Sequence, residues 1–131
     1  MEQFTVNPML GHITTFGGHP LVCAGAAAGI EVLTEDVDYA HVSEVANYLR
    51  DQLSAHPKVI EVRNKGLFFA IDLAHEEEVQ HVVNYGLKNG FIGFWFLSCP
   101  ASFRIAPPLT MTLLEAKQAC SLMYEAFNAL S

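Results

Sequence analysis

Arg104 is the charge in this sequence best placed to meet a ligand. In Ser102-Phe103-Arg104-Ile105-Ala106, strand alternation puts Phe103 and Ile105 on one face and Arg104 on the other. Ala106-Pro107-Pro108 stiffens the chain directly after it. A guanidinium on a rigid strand end presents a planar fork suited to a carboxylate. The competing reading is a surface arginine paired with a nearby acid, and the pattern alone leaves both open. Thr14-Thr15-Phe16-Gly17-Gly18-His19-Pro20 is the second such feature, with two hydroxyls and two glycines ahead of a helix start. Hydroxyls and free backbone N–H groups there form an anion site. The segment matches neither standard phosphate-loop pattern, so an ordinary N-cap loop stands beside that reading.

The remaining candidates are weaker. His12, His19, His41, His56, His75 and His81 show no HExxH spacing, so no metal site is expected. Cys23, Cys99 and Cys120 are odd in number and in no CxxC arrangement, and read as buried or half-buried thiols of a reducing compartment. Cys99, before Pro100 in a polar loop, is the one conceivable nucleophile. Asp72 at a strand end is a general-base candidate with nothing to pair it to, and Glu76, Glu77 and Glu78 read as a solvated helix start. No nucleophile–base constellation can be read from the spacing.

The elements that must position these residues follow from periodicity and punctuation. Residues 1–14 have no period and look like a lead-in that packs on something else. Pro20 suits the first helical position, since its missing N–H would be unpaired there. The helix body from Leu21 to Leu33 is Ala- and Gly-rich and carries only Glu31 as a charge. A helix so apolar all round is expected to be covered by a second domain or subunit. A second helix from about Tyr39 to Ala55 repeats Val42, Val45, Ala46, Leu49 and Leu53 on one face. Strands Val59–Arg63 and Leu67–Leu73 form a hairpin across Asn64-Lys65-Gly66. A third helix spans Glu76 to Asn89, with Val79, Val82, Val83 and Leu87 as its stripe. The apolar run Phe91–Leu97 reads as a strand that is buried or covered by a partner. A loop, Ser98–Ala101, leads to strand Ser102–Ala106, and a last helix starts at Thr112 with a capping box to Glu115. The order α α β β α β β α implies an α+β domain, helices on one face of a small, mainly antiparallel sheet.

Composition excludes several classes. The chain has 131 residues, 51% apolar and 16% charged, which fits one folded domain rather than a disordered segment. Seven Lys and Arg against 14 Asp and Glu give a net charge of −7, which argues against a nucleic-acid partner. No apolar run reaches the roughly 18 residues of a membrane span, and Met1-Glu2-Gln3-Phe4 lacks the plan of a signal peptide.

Three motifs in order carry a resemblance. Thr15-Phe16-Gly17-Gly18-His19-Pro20-Leu21 precedes an Ala-rich helix. Arg63-Asn64-Lys65-Gly66-Leu67 comes next, and Phe103-Arg104-Ile105-Ala106-Pro107-Pro108-Leu109 last. From about residue 11 to 130 the chain resembles the C-terminal part of the class III aminotransferases that use pyridoxal phosphate, with acetylornithine and ornithine aminotransferases as close look-alikes. The resemblance implies the small α+β C-terminal domain of fold-type I transferases over 20–131, preceded by the tail of a cofactor-binding large domain over 1–19. It implies that Thr15, with Phe16 beside it, contacts the cofactor phosphate of the neighbouring subunit. It implies that Arg104 binds the substrate α-carboxylate. A cytosolic homodimer follows, acting on an amino acid and a 2-oxo acid.

The chain departs from the family at His19, where Asn is usual, and at Asn64, where Gly is usual. The larger departure is a missing residue. In the family, the lysine that holds the cofactor lies upstream of the Thr-Phe-Gly-Gly motif. Here no lysine precedes Thr15, and Lys58, Lys65, Lys88 and Lys117 all fall in the small domain. The expectation is therefore a transaminase piece that is inactive alone. The alternative is a stand-alone α+β module that binds an amino acid, another carboxylate or a protein.

Overall fold

The computed structural model describes residues 14–130, and the chain divides into two compact units that meet between Val37 and Asp38. In the first unit, α1 spans Pro20–Glu35, with proline in the first turn as expected. It ends where the Asp36 N–H reaches the Val32 carbonyl. None of its residues is buried, and Leu21 and Ile30 are largely exposed. The sequence implies a covered helix. Among the described residues its own unit holds no other element to cover it.

The second unit holds α2 (Tyr39–Ser54), β1 (Glu61–Lys65), β2 (Phe68–Asp72), α3 (Glu76–Asn89), β3 (Phe94–Phe96), β4 (Cys99–Ile105) and α4 (Leu113–Asn128). The four strands form one open antiparallel sheet in the order β1-β2-β4-β3. With its helices, this is the α+β class that the element order implies.

Local chemistry explains where each helix begins. Asp38 caps α2, its Oδ1 accepting the Ala40 and His41 N–H groups at 2.9 and 3.1 Å. The Glu78 carboxylate reaches back to the Ala74 and His75 N–H groups at 3.0 and 3.2 Å, so one of the three acids starting α3 holds the cap and is not merely solvated. Thr112 caps α4 as its spacing implies. Its hydroxyl accepts the Glu115 N–H at 3.2 Å, and Glu115 Oε2 accepts the Thr112 N–H at 2.8 Å. The Thr112 N–H and the Thr112 hydroxyl, each donating to Glu115 Oε2 at 2.8 Å, hold that carboxyl below the ordinary glutamate value.

The core lies between one sheet face and three helices. Phe69, Ile71, Phe103 and Ile105 face inward, with Leu67 and Leu73 at the ends of β2. They meet Val45, Leu49 and Leu53 of α2, Val79 and Val82 of α3, and Met123 and Phe127 of α4. Phe103 and Phe127 lie 6.2 Å apart between ring centres, a tilted pair that joins β4 to α4. Burying each such side chain contributes about 1.5–3 kcal/mol. The expected apolar stripe of α2 is found on the core side. On α3, Leu87 is exposed instead, and Gly86 holds the inward position. A side chain at Gly86 would collide with the ring and carbonyl of Phe91, which fold back against it.

All four strands differ from expectation at their boundaries. β1 starts two residues late, because the Val59 N–H is taken by the His56 carbonyl and only the Ile60 N–H reaches the Asp72 carbonyl. The hairpin is tighter than expected: Lys65 pairs with Phe68, leaving Gly66 and Leu67 as the connection, with Gly66 at φ 54°. β4 starts at Cys99, so the expected loop at 98–101 shrinks to the turn before it. Of the run Phe91–Leu97 only Phe94–Phe96 is strand, and it is not buried: Phe94 is 50% and Leu97 94% exposed.

Two measurements probe these devices. Replacing Gly66 by Ala is expected to lower the urea-unfolding free energy by about 1–2 kcal/mol, and Gly66→Asn by less, since asparagine tolerates the left-handed region. Thr112→Ala is expected to cost about 1 kcal/mol. The Glu115 carboxyl has a depressed pKa, so its contribution is present above the unfolded-state value near ~4.3 and is lost as pH falls through the lower folded value. Thermal melts of Glu115→Gln and the parent chain should therefore differ at neutral pH and converge in acid.

Candidate carboxylate site on the open sheet face

Strand pairing places two arginines in one cross-strand row on the sheet face opposite the core. Arg63 of β1 lies opposite Ala70 of β2, Ala70 opposite Arg104 of β4, and Arg104 opposite Phe94 of β3. The small Ala70 side chain separates the two guanidinium groups. Their fates differ. Arg63 forks onto Asp72, at 2.6 and 2.9 Å to the two carboxylate oxygens, and stands 3.6 Å from Glu61. The bond to Asp72, more than any other influence, pushes the Arg63 pKa up. Asp72 is thus a committed ion-pair partner and not the unpaired base candidate that the sequence suggests.

Arg104 has no carboxylate partner among the described residues. Its guanidinium carbon sits over two aromatic rings, 5.6 Å from the Phe94 centre and 6.0 Å from the Phe96 centre. It opens onto a cavity of about 300 Å³ lined by Phe68, Ile92, Phe94, Arg104 and Ala106. Of the two expectations for Arg104, pairing with a nearby acid is not realised. An unneutralised planar fork with apolar walls can take a carboxylate in bidentate fashion.

The second candidate lies in the first unit. Thr15 and Phe16 are exposed in the bend before α1. The His19 N–H bonds the Phe16 carbonyl at 3.0 Å, and the two rings meet edge-on at 6.4 Å. His19 is the N-cap, its Nδ1 accepting the Leu21 N–H at 3.3 Å. Here an imidazole does the capping work that an asparagine side chain would do. The other departure is also absorbed locally, since the Asn64 amide donates to the Gly66 carbonyl at 2.9 Å and braces the hairpin. Thr15 and Phe16 thus belong to the first unit and Arg104 to the second.

The remaining candidates resolve into structural roles. His56 is buried against Tyr124 and Phe127, and its Nε2 lies 3.2 Å from Asn128 Oδ1. His41 Nε2 lies 3.0 Å from the Met111 carbonyl. His12 lies outside the described residues. Among those described, no three His, Cys, Asp or Glu residues are grouped to hold a metal ion, and no helix is long and apolar enough to cross a membrane. Cys120 is buried, and its thiol is pushed up to about 11 by desolvation. Cys23 and Cys99 are exposed rather than buried or half-buried, and Cys99 sits in β4 rather than in a loop.

That Phe94 and Phe96 frame Arg104 is not readable from the sequence. The cause is the irregular register between Trp95 and Phe96. Continued without that shift, the Phe96–Cys99 pairing would set Phe91, not Phe94, opposite Arg104. Nothing in an unbroken apolar run marks where a bulge falls.

Comparison with known proteins bears on this fold. The model of the aminotransferase class-III family matches residues 1–127. The ornithine aminotransferase of Toxoplasma gondii ME49 is similar at TM-score 0.73 and 28% identity, over 91% of this chain and 29% of that one. An aminotransferase of Bacillus anthracis superposes at TM-score 0.75 and 24% identity, over 98% of this chain and 33% of that one. An omega transaminase of Pseudomonas jessenii, in complex with PMP, gives TM-score 0.74 and 23% identity, over 91% and 29%. At such identities the last two speak for the fold alone. The chain spans about a third of the length of the structures it matches. With a family match over almost its whole length and an α+β fold shared with these enzymes, this chain belongs to the class III aminotransferases.

Proposed function

We propose that this chain serves as the small C-terminal domain of a longer pyridoxal-phosphate-dependent transaminase, with residues 1–19 as the tail of its large domain. The enzyme would move an amino group between an ω-amino acid, such as ornithine, acetylornithine or lysine, and a 2-oxo acid. The observation that carries this reading is Arg104, an unneutralised guanidinium beside an apolar-walled cavity in a class III aminotransferase chain. Its role is to bind the α-carboxylate and fix the orientation of the substrate's amino or oxo carbon.

The cofactor supplies the electron sink for the reaction when bound. The residues present fit one end of it. Thr15, exposed ahead of the α1 N-terminus, would hold the phosphate of the neighbouring subunit's cofactor, with Phe16 beside it. That arrangement calls for a homodimer, which we place in the cytosol. No lysine of this chain falls in the unit that carries Thr15, so the lysine that anchors the cofactor belongs to the large domain. The chain alone is therefore inactive.

The first test is the coding sequence upstream of Met1. An in-frame continuation into a lysine-bearing large domain is expected, whereas a stop codon and ribosome site there would favour a stand-alone carboxylate-binding module. Transamination by this chain alone should not exceed a no-protein control, and turnover above it would overturn the inactive-fragment reading. In the longer enzyme, Arg104→Ala should lower kcat/KM for the 2-oxo acid about 30- to 200-fold, or about 2–3 kcal/mol, mostly through KM. Unchanged KM for both substrates would remove Arg104 from the site. Thr15→Ala should weaken cofactor retention about tenfold, read as cofactor loss on dialysis.

A further inference from the structure

We propose that Phe94 and Phe96 are positioning residues for Arg104, holding its guanidinium on the open sheet face without neutralising it. The inference rests on the reading of Arg104 as a carboxylate binder and adds what makes that arginine competent. A long arginine side chain on an exposed strand face samples many rotamers, and each must be given up when a ligand binds. A neighbouring acid would order it but would also cancel the charge that the ligand needs. The sheet shows both solutions in one row. Arg63 is ordered by Asp72 and Glu61 and its charge is spent. Arg104 faces two aromatic rings, at 5.6 and 6.0 Å. The ring quadrupole attracts a cation over its face while the N–H edges stay free to donate.

Phe94 sits directly opposite Arg104. Phe96, past the register shift that follows Trp95, also faces the same guanidinium, at 6.0 Å. Both rings are partly exposed, so neither is needed to fill the core, and Phe94 also walls the cavity into which Arg104 opens.

The test uses the 131-residue chain itself and two NMR readouts, with Arg104→Lys identifying the Arg104 Nε–Hε signal. In the ligand-free chain that signal should show an upfield ring-current displacement. Phe94→Leu and Phe96→Leu should each reduce it and together abolish it, while Phe94→Tyr and Phe96→Tyr, which keep the ring, should retain it. Titration with 2-oxoglutarate should give a dissociation constant raised about two- to fivefold per leucine substitution and near the parental value for the tyrosine variants. Backbone amide spectra show whether each variant is folded, and the tyrosine pair keeps the test decisive if a leucine variant is not. An Arg104 signal and affinity unchanged in the leucine variants, or lost equally in leucine and tyrosine variants, would overturn the positioning role while leaving Arg104 as the binder. If 2-oxoglutarate moves no Arg104 signal in the parent chain, the carboxylate reading fails, and this inference with it.

Discussion

A β-strand has two faces, and in β4 that constraint ties the stability of the domain to its chemistry. Phe103 and Ile105 are buried in the core, and Phe103 is locked against Phe127 of α4. Arg104 lies between them and must point the other way. The energy that fixes its backbone is therefore hydrophobic and sits on the far side of the sheet. Pairing on both sides, with Ala70 of β2 and Phe94 of β3, sets its position along the sheet to within one residue. A slip by one residue would bury the guanidinium and expose two large apolar side chains, so the core itself guards the site's register. Pro107 and Pro108 then restrict the chain where β4 ends, so little backbone freedom remains after the arginine.

Distribution of charge on the open face is the second constraint. Two acids, Asp72 and Glu61, and two arginines would by default form a mixed network in which every cation is shared. The register prevents this. Asp72 and Glu61 lie opposite each other at one end of the β1–β2 ladder, and Arg63 stands diagonally within reach of both. That cluster closes on itself and leaves Arg104, across Ala70, outside it. A surface ion pair contributes little to stability. The value of the Arg63–Asp72 pair lies instead in keeping Asp72 away from Arg104.

Much of this was legible in the sequence, for reasons that separate what was found from what was missed. Helices announced themselves because their signals are local: Pro20 at a start, Thr112 with Glu115 three residues on, and stripes such as Val42-Val45-Ala46-Leu49-Leu53 that survive errors of a residue or two. Phe103-Arg104-Ile105 was equally readable, since alternation across three residues needs no partner. What failed needed a second strand. The pairing of Asp72 with Arg63 depends on where the hairpin turns, and a turn tighter by one residue changes which side chains share a face. The aromatic frame of Arg104 depends on how β3 pairs with β4, which the composition of β3 alone does not reveal.

The apolar surface left open reads differently in light of the family. Trp95 at 44% exposure, Leu97 at 94% and the uncovered length of α1 would be aggregation hazards on an independent soluble domain. A chain that spans about a third of the structures it matches has another explanation. If the chain is the small domain of a longer enzyme, as proposed, these are surfaces on which the rest would close. An Ala- and Gly-rich helix is suited to that use, because small side chains let a neighbouring backbone approach closely without demanding a particular knob-into-hole fit. The same logic covers the open face of the sheet. Its apolar walls around Arg104 are poorly suited to water. On the proposed reading, closure there would exclude solvent and strengthen the attraction between the guanidinium and a carboxylate.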